Sequence, residues 1–433
     1  MDKYSVRPLK DNDSFTVSVP GSKSITNRAL LLAAMCEGPC TLNGVLFSDD
    51  SRAFLSCLKE LGFDLTIDEE EKRVTITGTG GRIPNGKASI NVGSAGTAAR
   101  FLTVFLAFAG GGYEMDASPQ MCKRPMEPLI SDLRKAGVRI TCKKEEGHFP
   151  FTLHSSGLSI REMTSSTDIS SQFASAILMA APLLDKGLKL TLEGSRTNGS
   201  YINITLKMMS QFGFGFTRNG NIITVSPCRS INKESYNIEP DMSAACYFYA
   251  MAPICGKVMQ VRGVHPDSMQ GDYQFIRILE KLGCTATDDK DGVILSPPEK
   301  REYPGIDTDM KDFSDQTMTM AVTAAFAASP TTIRNVGHIR YQESDRLHAI
   351  INELTRLGCK CSAIDEDTGI YIEPDTDRGS AYHGADIETY EDHRIAMAFA
   401  LAGLRIPGVN ILNPGCCRKT FENYFEVLDS ICM

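Results

Sequence analysis

"ITLKMMSQFGFGFTRNGNIITVSP", residues 204–227, reads as a helix, a stop and a hairpin. Apolar residues recur with helical spacing as far as Phe212. Gly213 then fits the left-handed position that ends many helices, where a side chain costs energy. Two β-rich runs follow around Asn219 and Gly220, which suit a tight turn. The same helix, glycine and strand recur in "AFLSCLKELGFDLTI" (53–67), "PLISDLRKAGVRITC" (128–142), "FIRILEKLGCTAT" (275–287) and "AIINELTRLGCKCSA" (349–363). The helix-ending glycines Gly62, Gly137, Gly213, Gly283 and Gly358 lie 75, 76, 70 and 75 residues apart. A fixed period of this length marks a repeat architecture. A sixth helix, "FENYFEVLDSI" (421–431), closes the chain without its strands.

A second element keeps step with the first. It opens on a small or acidic residue and continues as a helix rich in Ala, Met and Leu. The six copies begin near Ser22, Ser94, Ser170, Asp241, Asp315 and Asp392. Beyond their first turns they carry almost no charge, and a helix that is apolar all round is buried. Six copies in 433 residues imply two α/β domains with three repeats each. The buried helices should bring their N-termini together, and each N-terminus offers free N–H groups and partial positive charge to an anion.

Composition narrows the function classes. The formal net charge of −8 argues against a nucleic-acid binder, which would show a basic face. The longest apolar run, "FLTVFLAFAGGGY" (101–113), is shorter than the roughly 20 residues of a membrane span, and the charged N-terminus does not read as a signal peptide. The fourteen cysteines form no CxxC pair and the seven histidines show no metal-binding spacing. The chain therefore reads as cytoplasmic and metal-free, with reduced cysteines. The opening string "GSKS" (21–24) puts Lys23 at a helix start, but it lacks the upstream glycine of a P-loop, so nucleotide binding is rejected.

Nine strings resemble the enolpyruvyltransferase family, in its shikimate branch, in order and spacing. They are "PGSKSITNRA", "SAGTAAR", "KRPM", "SSQF", "SYINITL", "DSMQGD", "ESDRL", "EDHRIAMA" and "KTFENYF". The resemblance implies inside-out α/β barrels: two domains, each of three βαβαββ repeats around buried helices. One domain would span 21–239, mainly on the shikimate-phosphate side, and the other 1–20 plus 240–433, with the active site in the interdomain cleft. The implied reaction moves the enolpyruvyl group of phosphoenolpyruvate onto the 5-hydroxyl of shikimate 3-phosphate, through a tetrahedral intermediate, releasing phosphate. It belongs to chorismate and aromatic amino-acid biosynthesis and is a target of the herbicide glyphosate. The partners would be these two small molecules, with no cofactor, metal, nucleic acid or membrane, acting on a monomer.

The resemblance also distributes roles. Asp315 would be the general base on the 5-hydroxyl, Glu343 would exchange a proton with carbon 3, and Lys23 would assist between the two substrates. Shikimate 3-phosphate would meet Lys23, Ser24, Arg28, Ser170, Ser171, Gln172, Asn198, Tyr201, Asp315, His338 and Gln342. Phosphoenolpyruvate would meet Lys23, Ser94, Gly96, Arg124, Gln172, Arg346, Arg394 and Lys419, where guanidinium forks suit carboxylate and phosphate. His393 would orient Arg394. From the residues alone, Ser22 or Ser24 caps the first buried helix, Arg28 sits one turn past Ser24 on the same face, and Asp315 is an N-cap.

Several positions depart from the family pattern. Ser94, His338 and Asn198 stand where asparagine, asparagine and serine are usual, Phe101 replaces a proline, and Gln342 replaces a lysine before Glu343. The loss of that cation leaves more of the charge to Lys23. Two other readings stay open. One is the sister transferase acting on UDP-N-acetylglucosamine, which uses a reactive cysteine near the position of Cys122. The other is a catalytically silent binding protein.

Overall fold

The computed structural model describes residues 2–168, 170–194, 196–375 and 381–433. It divides into two compact units, Gly21–Glu239 and the remainder, Met1–Pro20 with Pro240–Met433.

The unit Gly21–Glu239 holds three four-stranded sheets of one design. In the middle one, Lys87–Asn91 runs parallel to Gly111–Asp116, then Phe151–Ser155 and Arg139–Cys142 follow antiparallel. The helix Gly96–Ala109 joins the parallel pair, and Glu127–Lys135 leads into the hairpin. The same order recurs in Glu162–Ser166, Leu188–Glu193, Ile222–Val225 and Phe216–Asn219. The remaining sheet takes its parallel strand from the far end of the unit, Ser235–Asn237, beside Glu37–Asn43.

The other unit repeats this plan. Ser14–Val17 pairs parallel with Val258–Val261, and Asp307–Asp309 with Thr331–Arg334, each continued by an antiparallel hairpin. Its third sheet joins Asp386–Ile387 and Asn410–Leu412 in parallel, but no closing hairpin follows the last helix, Tyr424–Ile431. The N-terminal strand Lys3–Ser5 takes that place, antiparallel to Asn410–Leu412. The segment Gly21–Glu239 is thus inserted between the strand Ser14–Val17 of this unit and its first buried helix, Met242–Cys255.

In each unit the three Ala-rich helices form the interior. Lys23–Met35, Gly96–Ala109 and Ser171–Ala180 are buried along almost their whole length, as are Met242–Cys255, Thr317–Ala324 and His393–Gly403. Their small residues let the helices pack closely, and the amphipathic helices lie outside them with one face buried. Arg346–Arg356, for example, buries Leu347, Ile350 and Leu354.

Two local details differ from the sequence reading. Ser22 stands at the N-cap of the first buried helix, yet its hydroxyl makes no capping bond and Ser24 lies within the first turn. Asp315 is not a cap either: it belongs to a 3-10 turn, Lys311–Gln316, that precedes the helix Thr317–Ala324. Its carboxylate is drawn to arginines instead, as described below.

The five helix-ending glycines all take positive φ, at 87, 101, 99, 94 and 92° for Gly62, Gly137, Gly213, Gly283 and Gly358. At Gly213 a Cβ would meet nothing nearer than Ile231, at 3.8 Å. The cost of Gly213→Ala is therefore conformational, about 1–2 kcal/mol. A lower urea midpoint is the expected outcome, and an unchanged midpoint would refute the left-handed requirement.

Candidate active site

The five residues Asp315, Glu343, Arg346, Arg394 and Lys419 form one network in the second unit. Arg346 opens the helix Arg346–Arg356, and its side chain is only 2% exposed. Its Nη1 donates to Asp315 Oδ1 at 3.0 Å, Nη2 to Glu343 Oε2 at 2.7 Å and Nε to Asp392 Oδ2 at 2.7 Å. Burial works against the guanidinium charge, but Asp392, Glu343 and Asp315 outweigh it and raise the pKa. Arg394 Nη2 donates to Asp315 Oδ2 at 2.9 Å, and Lys419 Nζ lies 3.4 Å from Glu343 Oε1. Asp392, fully buried, caps the helix His393–Gly403 through the Arg394 N–H at 2.9 Å and accepts from Ser344 Oγ at 3.0 Å.

Charges balance here. Three cations face three carboxylates, and most of these side chains are shielded from water, Asp315 being the most open at 21%. Buried ion pairs recover their desolvation only with good hydrogen bonding, which this network supplies. His393 Nδ1 lies 3.7 Å from Asp392 Oδ1, and Arg394 Nη2 is bonded to Asp315. His338 Nε2 is 2.7 Å from Ser314 Oγ, next in sequence to Asp315, and Gln342 is half-buried beside Glu343.

A fourth carboxylate lies behind. Asp272, 7% exposed, accepts hydrogen bonds from Ser243 Oγ and, at 3.2 Å, from Gln316 Nε2. Burial first, and the charge of Asp315 second, push its pKa up to about 6. "DSMQGD" contains this residue, but nothing in the string signals its proximity to Asp315.

The first unit gathers a second set. Lys23 pairs with Asp50 at 3.5 Å, with 16% of its side chain exposed. Arg28 is buried and turned inward: Nε donates to Thr205 Oγ1 at 2.8 Å, Nη1 to the Ser24 carbonyl at 2.9 Å, and Nη2 to Ser175 Oγ at 3.4 Å and the Tyr201 carbonyl at 3.2 Å. Its guanidinium stacks 5.3 Å from the Phe101 ring and 5.9 Å from that of Tyr201, and burial pulls its pKa down to about 10. Arg28 thus ties the helices Lys23–Met35, Ser171–Ala180 and Ser200–Phe212 together, and Phe101 is its platform.

Arg100, absent from the sequence-predicted set, donates to Gln172 Oε1 at 2.7 Å and to the Gly96 carbonyl at 3.2 Å. Gly96 is hemmed in: a Cβ there would lie 2.7 Å from Arg100 Nη1 and 2.8 Å from Arg124 Nη1. Gly96, Arg100, Arg124 and Gln172 are therefore one group. Ser94 Oγ is 2.7 Å from Ser118 Oγ, Ser170 caps its helix through the Gln172 N–H at 3.3 Å, and Ser171 and Tyr201 are half-buried. Asn198 is exposed, with its carbonyl accepting from Asn203. Cys122 donates to the Ala117 carbonyl, and burial, then Asp116, raises its pKa. A thiol so placed is not activated as a nucleophile.

Residues 11–428 match the family model described as EPSP synthase (3-phosphoshikimate 1-carboxyvinyltransferase). The chain belongs to the EPSP synthase family. Among similar curated proteins, the 3-phosphoshikimate 1-carboxyvinyltransferase of Trichormus variabilis is 39% identical over 426 residues, covering 98% of each chain. That of Neisseria meningitidis serogroup B is 38% identical over 421 residues, covering 96% of this chain and 95% of its own. An EPSP synthase structure from Acinetobacter baumannii shares the fold, with a TM-score of 0.83 over 100% of this chain and 98% of that one, at 24% identity. Among the described residues, no group of three or more His, Cys, Asp or Glu is placed to hold a metal ion, and no helix is long and apolar enough to cross a membrane.

Asp272 offers a check on the electrostatics of the EPSP synthase network. Its folded pKa of about 6 lies above its unfolded value of 3.8, so below about pH 4 both states hold the proton. As pH rises from there to about 6, the unfolded state ionises first and Asp272 withdraws stability. The stability of Asp272→Asn relative to the unmodified protein should therefore climb across that window and level off above it. Urea unfolding over a pH series measures this, and a flat difference would contradict the burial of an ionisable group beside Asp315.

Proposed function

We propose that this protein transfers the enolpyruvyl group of phosphoenolpyruvate to the 5-hydroxyl of shikimate 3-phosphate and releases inorganic phosphate, as a 3-phosphoshikimate 1-carboxyvinyltransferase. The observation that carries the reading is the self-neutralised network of Arg346, Arg394 and Lys419 with Asp315, Glu343 and Asp392. A polyanion competes with Asp315 and Glu343 for the three cations. When its carboxylate and phosphate take the guanidinium forks, the two protein carboxylates lose their counter-charges, and their proton affinity rises.

Two carboxylates released in this way suit the chemistry. Asp315 takes the proton of the 5-hydroxyl as that oxygen attacks carbon 2 of phosphoenolpyruvate, while carbon 3 gains a proton from Glu343, with Lys23 assisting. The tetrahedral intermediate then returns a proton from carbon 3 and expels phosphate, which leaves the carbon 2–carbon 3 double bond in the product. Asp392 stays behind as the fixed anchor of Arg346, because it is fully buried and also caps a helix.

The set in the other unit supports the anionic substrates. Ser24, Ser170, Ser171, Asn198 and Tyr201 are assigned to shikimate 3-phosphate, together with His338 and Gln342. Lys23 and Gln172 serve both substrates, and Ser94, Gly96 and Arg124 serve phosphoenolpyruvate. Arg28 contributes by holding the Tyr201 backbone and the Ser24 carbonyl in place. Cysteine-assisted transfer to UDP-N-acetylglucosamine is not supported, since Cys122 is a half-buried thiol whose pKa is raised, not lowered. A silent binding protein would not need Asp315 and Glu343 sharing one arginine. We assign the protein to the cytoplasm as a monomer, acting without cofactor.

Phosphate release tests the reading. Shikimate 3-phosphate and phosphoenolpyruvate together should release phosphate, and Asp315→Asn should lower kcat at least about 100-fold, the scale of a lost general base. Release on UDP-N-acetylglucosamine instead would overturn the assignment. Gly96→Ala, by displacing Arg100 and Arg124, should raise KM for phosphoenolpyruvate about tenfold, or ~1.4 kcal/mol, with little change for shikimate 3-phosphate.

A further inference from the structure

A cavity of about 340 Å³ lies in the second unit at the C-terminal ends of two buried helices. Gly256, the C-cap of Met242–Cys255, and Leu404, the C-cap of His393–Gly403, both line it. Arg394 stands at the other end of His393–Gly403, about 15 Å from Leu404 at roughly 1.5 Å of rise per residue. The cavity is therefore separate from the network at the helix starts, and its volume is that of a small-molecule site.

Its charge is unbalanced. Lys257, Arg301 and Arg405 line it, and among the described residues no acidic side chain does. A helix C-terminus carries about half a unit of negative charge, so two of them offset roughly one of the three cations. Lys257 pairs with Asp11 at 3.7 Å, but Asp11 is fully exposed and water and salt screen the pair. Arg405 is steadied by Phe326, whose ring centroid lies 4.8 Å from the guanidinium. The Arg301 guanidinium makes no hydrogen bond or ion pair among the described residues. Arg301 also sits at a φ of 51°, a left-handed conformation that costs energy for any residue with a side chain. Its stem packs on Gly256, where a Cβ would lie 3.1 Å from Arg301 Cδ. Stability does not explain a strained residue whose charged end bonds to nothing.

The rest of the wall is apolar, with Pro8, Leu9, Pro253, Ile254 and Leu404. We propose that this cavity is a second binding site, for a small organic anion. Arg301, Arg405 and Lys257 hold its carboxylate or phosphate group, and the prolines and leucines cover an apolar body the size of one aromatic ring. Guanidinium forks suit either head group. Phosphoenolpyruvate and shikimate 3-phosphate have no such apolar body, so this wall selects against both. The inference stands on the cavity alone and does not depend on the reaction proposed above.

Titration of the full chain with benzoate and with phenyl phosphate tests it, followed by calorimetry and by the unfolding temperature. At least one of the two should bind once per chain and raise the unfolding temperature, and the better of them identifies the head group. Acetate and inorganic phosphate, which lack the ring, should bind about tenfold more weakly. Arg301→Gly removes the guanidinium and relieves the left-handed strain. It should weaken probe binding about tenfold, while the unfolding temperature without probe stays the same or rises. Shikimate 3-phosphate with an unreactive phosphonate analogue of phosphoenolpyruvate should not displace the probe. The site is overturned if neither probe saturates by about 10 mM, or if acetate or inorganic phosphate binds as tightly as its ring-bearing counterpart. Unchanged affinity or a lowered unfolding temperature in Arg301→Gly also overturns it, as does displacement by the two active-site ligands.

Discussion

The guanidinium of Arg346 is the point on which the second unit is organised. It is buried at the start of a helix and gives its three nitrogens to Asp315 and Glu343, from its own repeat, and to Asp392, from the next. Without those carboxylates the burial of the cation would be prohibitive, and without the cation three acids could not sit so close. Arg394 and Lys419 complete the balance on the open side. The turn before the helix Thr317–Ala324, the start of His393–Gly403, the start of the outer helix Arg346–Arg356 and the turn Pro414–Lys419 bring these residues to one place.

A network neutral in itself is suited to anionic substrates because it can exchange partners. Asp392 cannot leave, being fully buried and committed to its helix cap and Ser344. Asp315 is the most accessible of the three carboxylates, and Glu343 also faces Lys419. Exchange of substrate anion for protein carboxylate would do two things at once: bind the anion and release a base. Asp272 lies behind Asp315, where burial first and the charge of Asp315 second raise its pKa. Across the chain, Arg28 illustrates the opposite use of an arginine, with its donors given to backbone and hydroxyl groups that join three helices.

The sequence carried the parts whose signals are local. The helix, glycine and hairpin unit was readable because amphipathic spacing and a left-handed stop lie within some twenty residues, and each glycine occupies that conformation. The buried character of the Ala-rich helices followed from their lack of charge. The chemistry-bearing residues were legible only through the motif resemblance. What stayed hidden were pairings between distant residues. Arg346 meets Asp392 across 46 positions and Arg394 meets Asp315 across 79, and no periodicity encodes either. Asp50 beside Lys23 and Arg100 beside Gln172 were hidden for the same reason. Asp315 shows the cost of local reasoning: an acid before a helix looks like a cap, but two arginines hold it in a 3-10 turn.

The account turns on one exchange, in which substrate anions replace Asp315 and Glu343 on the cations of this network. A crystal structure with shikimate 3-phosphate and an unreactive phosphonate analogue of phosphoenolpyruvate measures it directly. The account predicts Arg346 and Arg394 bonded to the analogue, with Asp315 turned to the 5-hydroxyl. Both arginines still bonded to Asp315, with the analogue bound elsewhere, would contradict it.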